Sequence, residues 1–522
     1  MSTTKKPNFL FLMCDQLSAS ALSCYGNTVV KSPNIQQLAD EGVVFDNNYC
    51  TYPICSPSRA SMMSGQLPSK IDNWDNGSEF HASIPTFAHH LRSNGYYTCL
   101  SGKMHFIGPD QLHGFEDRVT TESYPADFSW TCNWDVGGKL YRYETEKEIG
   151  YTDIRNVIDS GVADYCLQMD YDEEVFFQAK RKLYEFARYD HAEQPFLLTV
   201  SFTQPHDPYI AKQRFWDMYS DDEIDLPKVP MIPYEEQDIR RQAVHKRMRQ
   251  DIYELTDAQI KRARRAYYAM ISDIDEKIGE LRKILKETGQ DENTIIILTA
   301  DHGDMLGERG MWYKNCFFEN AIHVPLLIHN PSRLTPQRRY ENTSLVDLLP
   351  TMVELSGGDT LEQFYDHLDG HSLLPLLHGE DASWTDTVYC EQNENRTLCT
   401  RLMVKKGPYK YVWNHFKEYG DALYDLDKDP LERQNMIEDP AYADVLEELK
   451  ALAAEKWDLE NIHAVCIQAQ KRNRLVVDAL QRGRWQPWEI GNTGPSADKQ
   501  FVRFGDVFPD VERNSFVNKR DG

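Results

Sequence analysis

The sequence predicts an α/β protein: a large, mostly parallel sheet flanked by helices, then a smaller C-terminal α+β subdomain and an extended tail. Three observations carry this. Short apolar runs recur along the first 330 or so residues, continuous rather than alternating, which suits strands buried on both faces. Helical patterns stand between them. Beyond about residue 380 the texture changes to that of an antiparallel hairpin.

Taken in order, the first run is Phe9–Cys14. The second, Tyr97–Leu100, follows a helix-like stretch around Phe87 to Leu91. Phe196–Phe202 is the third, Thr294–Thr299 the fourth and Pro325–Ile328 the fifth. The clearest helix precedes the fourth run. Tyr267, Ile271, Ile274, Ile278, Leu281 and Leu285 are spaced 4, 3, 4, 3 and 4, the stripe of a core-facing helix, and Gly289 stops it. A coiled-coil seam is the alternative for that stripe. Leu402–Val404, Gly407-Pro408 and Tyr409–Val412 read as a hairpin. The expected division is a large α/β domain over residues 1–375, an α+β subdomain over 376–460, and a helix with a tail over 461–522. The tail carries Phe501, Phe504 and Phe508 among polar residues, like an arm that needs a surface to pack on.

The 522 residues correspond to about three domain-sized units, or to one large core with a smaller companion. Hydrophobic residues at 41% and charged residues at 27% exclude a disordered or collagen-like chain. The net charge of −25 disfavours nucleic acid and anionic membrane surfaces as partners. No apolar run approaches the ~18–20 residues that cross a bilayer. The apolar stretch behind Lys5 and Lys6 is too short for a signal-peptide core, so a cytoplasmic chain is expected. Eleven cysteines include no CxxC pair, which argues against a zinc knuckle or a redox motif.

The ends of the runs are where chemistry is expected, because ligands of open α/β sheets bind beyond the carboxyl ends of the strands. The first run ends in Asp15-Gln16 and the second in Ser101-Gly102-Lys103-Met104-His105. The third ends in Thr203-Gln204-Pro205-His206-Asp207, the fourth in Ala300-Asp301-His302-Gly303-Asp304. Each alone is a common turn or cap. Together they deliver carboxylates, histidines and a lysine to one rim. The specific signal is Cys55-Ser56-Pro57-Ser58-Arg59-Ala60-Ser61-Met62-Met63-Ser64-Gly65. Pro57 fixes the backbone, and Arg59 can fork onto an anionic oxygen. On the residues alone, Cys55 reads either as a thiolate nucleophile activated by Arg59 or as a buried cysteine near a turn.

This Cys-x-Pro-x-Arg segment resembles the signature of type I sulfatases, in the alkaline phosphatase superfamily. Pro7–Asp15, Ser101–His105, Pro205–Pro208 and Asp301–Glu308 are similar to family segments in the expected order. So is Leu423-Tyr424-Asp425-Leu426 with Asp429, Pro430, Glu432 and Asn435. The resemblance covers about residues 7–436 and implies a mixed, mostly parallel sheet. Within the family, Asn48-Tyr49, Trp74-Asp75-Asn76, Gly102–Glu116 and Tyr124–Thr131 resemble the choline sulfatase subgroup, as do Lys456-Trp457-Asp458 and the long tail. Segment 135–165 and Glu391-Gln392-Asn393-Glu394-Asn395 depart from that subgroup's pattern.

The resemblance implies roles. Cys55 would be converted to formylglycine (3-oxoalanine) by a separate formylglycine-generating enzyme. Asp15, Asp301 and His302, with residue 55, would hold one divalent metal, and Gln16, which stands where many sulfatases have a further Asp, would ligate it through its amide oxygen. Oxygen ligands suit Ca²⁺, the favoured ion, or Mg²⁺, while the imidazole leans toward Mn²⁺. Arg59 would orient the nucleophile, Lys103 and Lys314 would neutralise the sulfuryl oxygens, His206 would be the general acid and His105 the base that releases sulfate. Asn76 and Trp130 resemble the choline-binding positions, with Trp134 nearby in sequence, because an indole face suits a quaternary ammonium. The tail is expected to build a homo-oligomer, a dimer or tetramer, and to bring Asp506 or Asp510 to a neighbouring site. The substrate expected is a small sulfate ester, choline sulfate first. An aryl sulfatase, a phosphonate or phosphate monoester hydrolase, and a non-catalytic binding homologue are the alternatives.

Overall fold

The computed structural model describes residues 5–131, 154–188, 194–358, 367–380, 384–393, 399–480, 482 and 515–521. Its strands, in chain order, are β1 (Asn8–Cys14), β2 (Val43–Tyr49), β3 (Tyr97–Gly102), β4 (Asp117–Arg118), β5 (Gly161–Val162), β6 (Phe196–Phe202) and β7 (Ile210–Ala211). They continue with β8 (Thr294–Ala300), β9 (Leu326–His329), β10 (Gln337–Ser344), β11 (Thr387–Gln392), β12 (Arg401–Lys406), β13 (Tyr409–Asn414) and β14 (Ala422–Asp425).

Eight of these form one sheet in the order β10-β2-β9-β8-β1-β6-β3-β4. All neighbours are parallel except β9, which runs antiparallel to both β2 and β8. The sheet is thus mixed and mostly parallel. The three central strands β1, β6 and β8 are buried along their whole length. That is why they read as continuous apolar runs. The fifth run is a strand too, but its direction is not written in its composition. Strand β10 escaped the sequence reading because it is a polar strand at the sheet's edge, QRRYENTS.

Helices cover the sheet. The longest, Asp257–Glu287, starts at Thr256, whose hydroxyl and backbone form a capping box with Gln259. Tyr267, Ile271, Ile274, Ile278, Leu281 and Leu285 are all buried in the main core, as expected of a core-facing stripe. Gly289 follows its C-terminus with φ +67.

The C-terminal sheet is antiparallel, β11-β12-β13-β14, and the hairpin turns at Gly407-Pro408 between the paired Lys406 and Tyr409. It packs on the helix Ala443–Lys456 around Leu402, Val404, Tyr411, Leu423, Leu449 and Trp457. The helix Leu459–Leu480 follows. Trp134, Glu394, Asn395, Phe501, Phe504, Asp506, Phe508 and Asp510 lie outside the described residues. The last described segment returns to the body: Val517 bridges Tyr165 and Arg520 bridges Val162.

No helix among the described residues is long and apolar enough to cross a membrane.

Candidate active site

The register of the sheet assembles the site. Cys14 pairs with Phe202 on one side and Ala300 on the other, and Gly102 pairs with Ser201. The carboxyl ends of β1, β3, β6 and β8 therefore lie level, and Asp15, Lys103, His206 and Asp301 follow from one edge. Gly102 is required there: at φ +115, an added Cβ would lie 2.0 Å from the Ser201 carbonyl oxygen.

Cys55 opens the helix Cys55–Ser64, all ten residues of which are buried. Pro57 is tolerated because first-turn N–H groups have no partner within the helix. Ser56 N–H instead donates to Asn76 Oδ1 at 3.0 Å. Asn76 thus caps the helix that presents Cys55. Arg59, one turn on and fully buried, donates from Nε to Asp301 Oδ2 (2.8 Å) and from Nη1 to Lys103 O (2.6 Å) and Ser201 Oγ (2.9 Å).

Asp15 Oδ2 accepts from Lys103 Nζ and lies 3.4 Å from Arg59 Nη2. Asp301 Oδ1 accepts from Gln16 N and His302 N. His302 Nδ1 lies 3.1 Å from Gly303 O, which places its proton there and turns a bare Nε2 toward Cys55 Sγ at 3.2 Å. The ligand atoms of Asp15, Cys55, Asp301 and His302 all lie within 4.8 Å of one another, and all four residues are buried. Two carboxylates, an unprotonated imidazole nitrogen and the residue 55 side chain form a divalent-metal-binding cluster. The Cys55 sulfur stands where an oxygen of formylglycine would be.

The electrostatics agree with this arrangement. Burial opposes ionisation of Asp15, but the Lys103 ammonium, with His206 and Arg59, holds it well below the usual carboxylate range. Burial also opposes ionisation of Asp301, and Arg59 holds it low. His302 is pushed down to about 3 by burial. The imidazole is therefore neutral, the form that binds metal. Burial and then Asp15 push the Cys55 thiol up to about 11.

A second group faces the first. Lys314 Nζ donates to Gln16 Oε1 and lies 2.7 Å from His206 Nε2. His206 Nδ1 is 2.6 Å from Asp207 O. Gln16, at φ 64, turns its Nε2 to Asp304 Oδ2 at 2.7 Å. Its amide oxygen therefore faces Lys314. Asp304 also accepts from Tyr209 OH and the backbone of Leu306 and Tyr313, and burial pushes its carboxyl up to about 6.

An aromatic wall closes one side. The Tyr124 ring lies 3.8 Å from Lys103 Nζ, 4.8 Å from the His105 ring, 5.2 Å from Trp130 and 6.3 Å from His206. Trp130 meets His105 edge-on at 5.7 Å. His105, at φ 57, is fixed by Glu122 Oε2, which accepts its N–H (2.8 Å) and that of Met104 (2.9 Å). Burial, then the charge of Lys103, depresses the His105 imidazole well below its ordinary value.

The sequence-predicted site residues among those described thus fall around one centre, with Asn76 at the helix start and Trp130 on the wall. Sequence reasoning missed Tyr124, Glu122, Ser201 and Asp304 as site residues. Tyr124 and Asp304 lay inside segments that resembled the family, but their contacts depend on the fold.

An α/β fold with a buried Cys-x-Pro-x-Arg helix facing two carboxylates and an imidazole defines a class. The chain belongs to the sulfatase family, whose profile matches residues 7–358, and it is an enzyme of that family with a formylglycine-type, metal-binding site. The C-terminal profile of N-sulphoglucosamine sulphohydrolase matches residues 307–457. Among individual proteins, the chain is 42% identical over 492 residues to the choline-sulfatase of Rhizobium meliloti (strain 1021), across 93% of this chain and 94% of that one. An arylsulfatase of Clostridium perfringens is 27% identical over 471 residues, 87% of this chain and 95% of that one. The crystal structure of a phosphonate monoester hydrolase of Agrobacterium radiobacter superposes with a TM-score of 0.67 at 25% identity, covering 87% of this chain and 96% of that one.

Proposed function

We propose that this sulfatase hydrolyses choline sulfate to choline and sulfate. The observation that carries the substrate is the wall of Tyr124 and Trp130 beside the Cys55 centre. A quaternary ammonium has no N–H to donate, so it is held by aromatic faces, worth ~2 kcal/mol or more where water is excluded. The similarity to the Rhizobium meliloti choline-sulfatase along nearly its whole length supports the same reading.

Asp15, Asp301, His302 and the side chain of residue 55 hold the metal, with Ca²⁺ the favoured ion among Ca²⁺, Mg²⁺ and Mn²⁺. When bound, it supplies Lewis acidity toward a sulfuryl oxygen and lowers the pKa of a hydroxyl on residue 55. Gln16 serves from the side, its amide oxygen orienting Lys314. Residue 55 acts as formylglycine, installed by a separate generating enzyme, and its hydrated form offers the attacking hydroxyl. Arg59 orients that hydroxyl. Lys103 and Lys314 meet the sulfuryl oxygens, whose charge grows in the transition state.

His206 and Lys314 act as a pair. Burial and then the Lys314 charge depress the imidazole, whose Nε2 lies 2.7 Å from Lys314 Nζ, and His206 is the general acid toward the leaving alkoxide. His105, kept neutral, takes the proton that accompanies sulfate release. Asn76 both caps the Cys55 helix and lines the substrate side. The tail is proposed to build the homo-oligomer.

The test compares turnover of choline sulfate, an aryl sulfate and an aryl phosphonate monoester by one metal-loaded preparation. Choline sulfate should have the highest kcat/KM by at least tenfold. A higher value for the aryl sulfate or the phosphonate replaces this reading with that one.

A further inference from the structure

Two buried guanidiniums stand beside the Lys314 loop, and the proposed reaction uses neither. Arg240, in the helix Ile239–Arg247, and Arg401, at the start of β12, are each 6% exposed. They converge on the Asn315 carbonyl, Arg240 Nη2 at 2.6 Å and Arg401 Nη2 at 3.2 Å. Arg401 also donates to Gln392 Oε1 from Nε (2.8 Å) and Nη2 (2.6 Å), and Arg240 Nη2 reaches the same oxygen at 3.5 Å. Every one of these acceptors is neutral. Arg240 Nε has no partner among the described residues.

Like charges buried side by side are costly without a counter-ion. Burial, and next the charge of Arg240, push Arg401 down to about 9. The two side chains line a cavity of about 260 Å³ together with Arg241, Phe317, Asn414 and Tyr419. Three carboxylates also line it, and none of them is paired with Arg240 or Arg401. Asp238 pairs with Arg241 at 3.2 Å, Glu432 pairs with Lys410 at 2.5 Å, and Asp421 accepts from Asn414 N (2.9 Å) and Tyr411 OH (3.0 Å). In a chain of net charge −25, the described residues supply acids around this cavity but none to this pair. Phe317 lies 4.5 Å from the Arg401 guanidinium and fixes its plane.

We propose that Arg240 and Arg401 form a binding site for a small tetrahedral oxyanion, inorganic sulfate or phosphate. A guanidinium presents parallel donors at the spacing of two oxyanion oxygens. Two of them beside one cavity give an anion the charge and the donors that neutral carbonyls do not match. The site uses none of the groups around Cys55, so it stands or falls apart from the reaction proposed above.

Equilibrium dialysis of the metal-loaded protein with radiolabelled sulfate tests it. Wild type should bind one sulfate per chain more than Arg401→Gln, with affinity at the lost site reduced at least tenfold. A parallel titration with phosphate shows which oxyanion binds the second site more tightly. Unchanged sulfate binding in Arg401→Gln overturns the proposal. Should Arg401→Gln fail to fold, wild-type crystals soaked in selenate decide. An anomalous peak between Arg240 and Arg401 supports the site, and none at a concentration that fills the Cys55 centre refutes it.

Discussion

Cys55 is held where a thiolate is disfavoured. At about 11, its thiol is protonated at neutral pH, and a protonated thiol is a poor nucleophile. The unmodified side chain is thus poorly suited to nucleophilic attack, whereas an aldehyde hydrate in its place needs no thiolate. Cys55→Ala should fold with an unchanged melting profile and lose sulfatase turnover by at least ~10³-fold, the ~4 kcal/mol that a group acting in the transition state supplies. Retention of a tenth of wild-type turnover would sink the formylglycine reading. Asp301 bears on a different quantity. It is the partner of Arg59 Nε as well as a member of the metal cluster. Asp301→Ala should lose bound metal and activity together, read by metal analysis beside turnover. Full metal occupancy in that variant would remove Asp301 from the ligand set.

At the scale of elements, Glu391 shows what an apolar pattern conceals. It lies fully buried near the end of β11, and accepts from Ser69 N (2.8 Å), Ser69 Oγ (2.6 Å) and Trp457 Nε1 (2.7 Å). It thereby ties the small sheet to the turn after the Cys55 helix and to the junction between the two C-terminal helices. Burial nonetheless pushes its carboxyl up to about 7, and nearby Asp369 adds to the rise, although Lys70 and Lys456 pair with Asp369. The folded protein then binds a proton more tightly than the unfolded chain. Its contribution to stability is full below the ordinary glutamate range, near 4.5, and is lost as pH rises through about 7. Glu391→Gln should flatten the fall in urea midpoint between about pH 5 and 8 relative to wild type. Curves that stay parallel across that range would show that Glu391 titrates normally. The same contrast explains what was legible. The core strands and the 267–285 stripe announced themselves because burial on both faces, or on one helical face, leaves a pattern. The direction of β9, the polar edge strand β10, and the bonds of Glu391, Glu122 and Asp304 leave none, because each depends on a partner far away in sequence. The site residues were legible through the family motifs. By contrast, the Asn76 cap and the Lys314–His206 contact required the fold.

At the scale of the whole molecule, the described residues near the C-terminus are tied to the body. Residues 515–521 bridge 162 and 165 in antiparallel fashion. Arg520 pairs with Asp164 at 2.8 Å, and Arg262 pairs with Asp521 at 3.1 Å. Residues 483–514, with Asp506 and Asp510, run between that anchor and the helix Leu459–Leu480. The proposal is that the segment carrying Asp506 and Asp510 brings a carboxylate to a neighbouring subunit's ammonium pocket. Oligomer and specificity would then be coupled. Deleting 496–522 should raise KM for choline sulfate at least tenfold, leave KM for an uncharged aryl sulfate within about twofold, and shift the oligomer toward smaller species in light scattering. A tenfold KM ratio corresponds to ~1.4 kcal/mol, within what an anion and an aromatic face give a desolvated cation. Trp130→Ala should show the same substrate contrast with the oligomer intact, which separates the pocket from the assembly. If truncation leaves both the oligomer and the choline sulfate kinetics unchanged, the tail plays no part in the site. If Trp130→Ala also spares choline sulfate, the ammonium pocket is not where Trp130 stands, and an aryl sulfate or phosphonate becomes the better substrate for this centre.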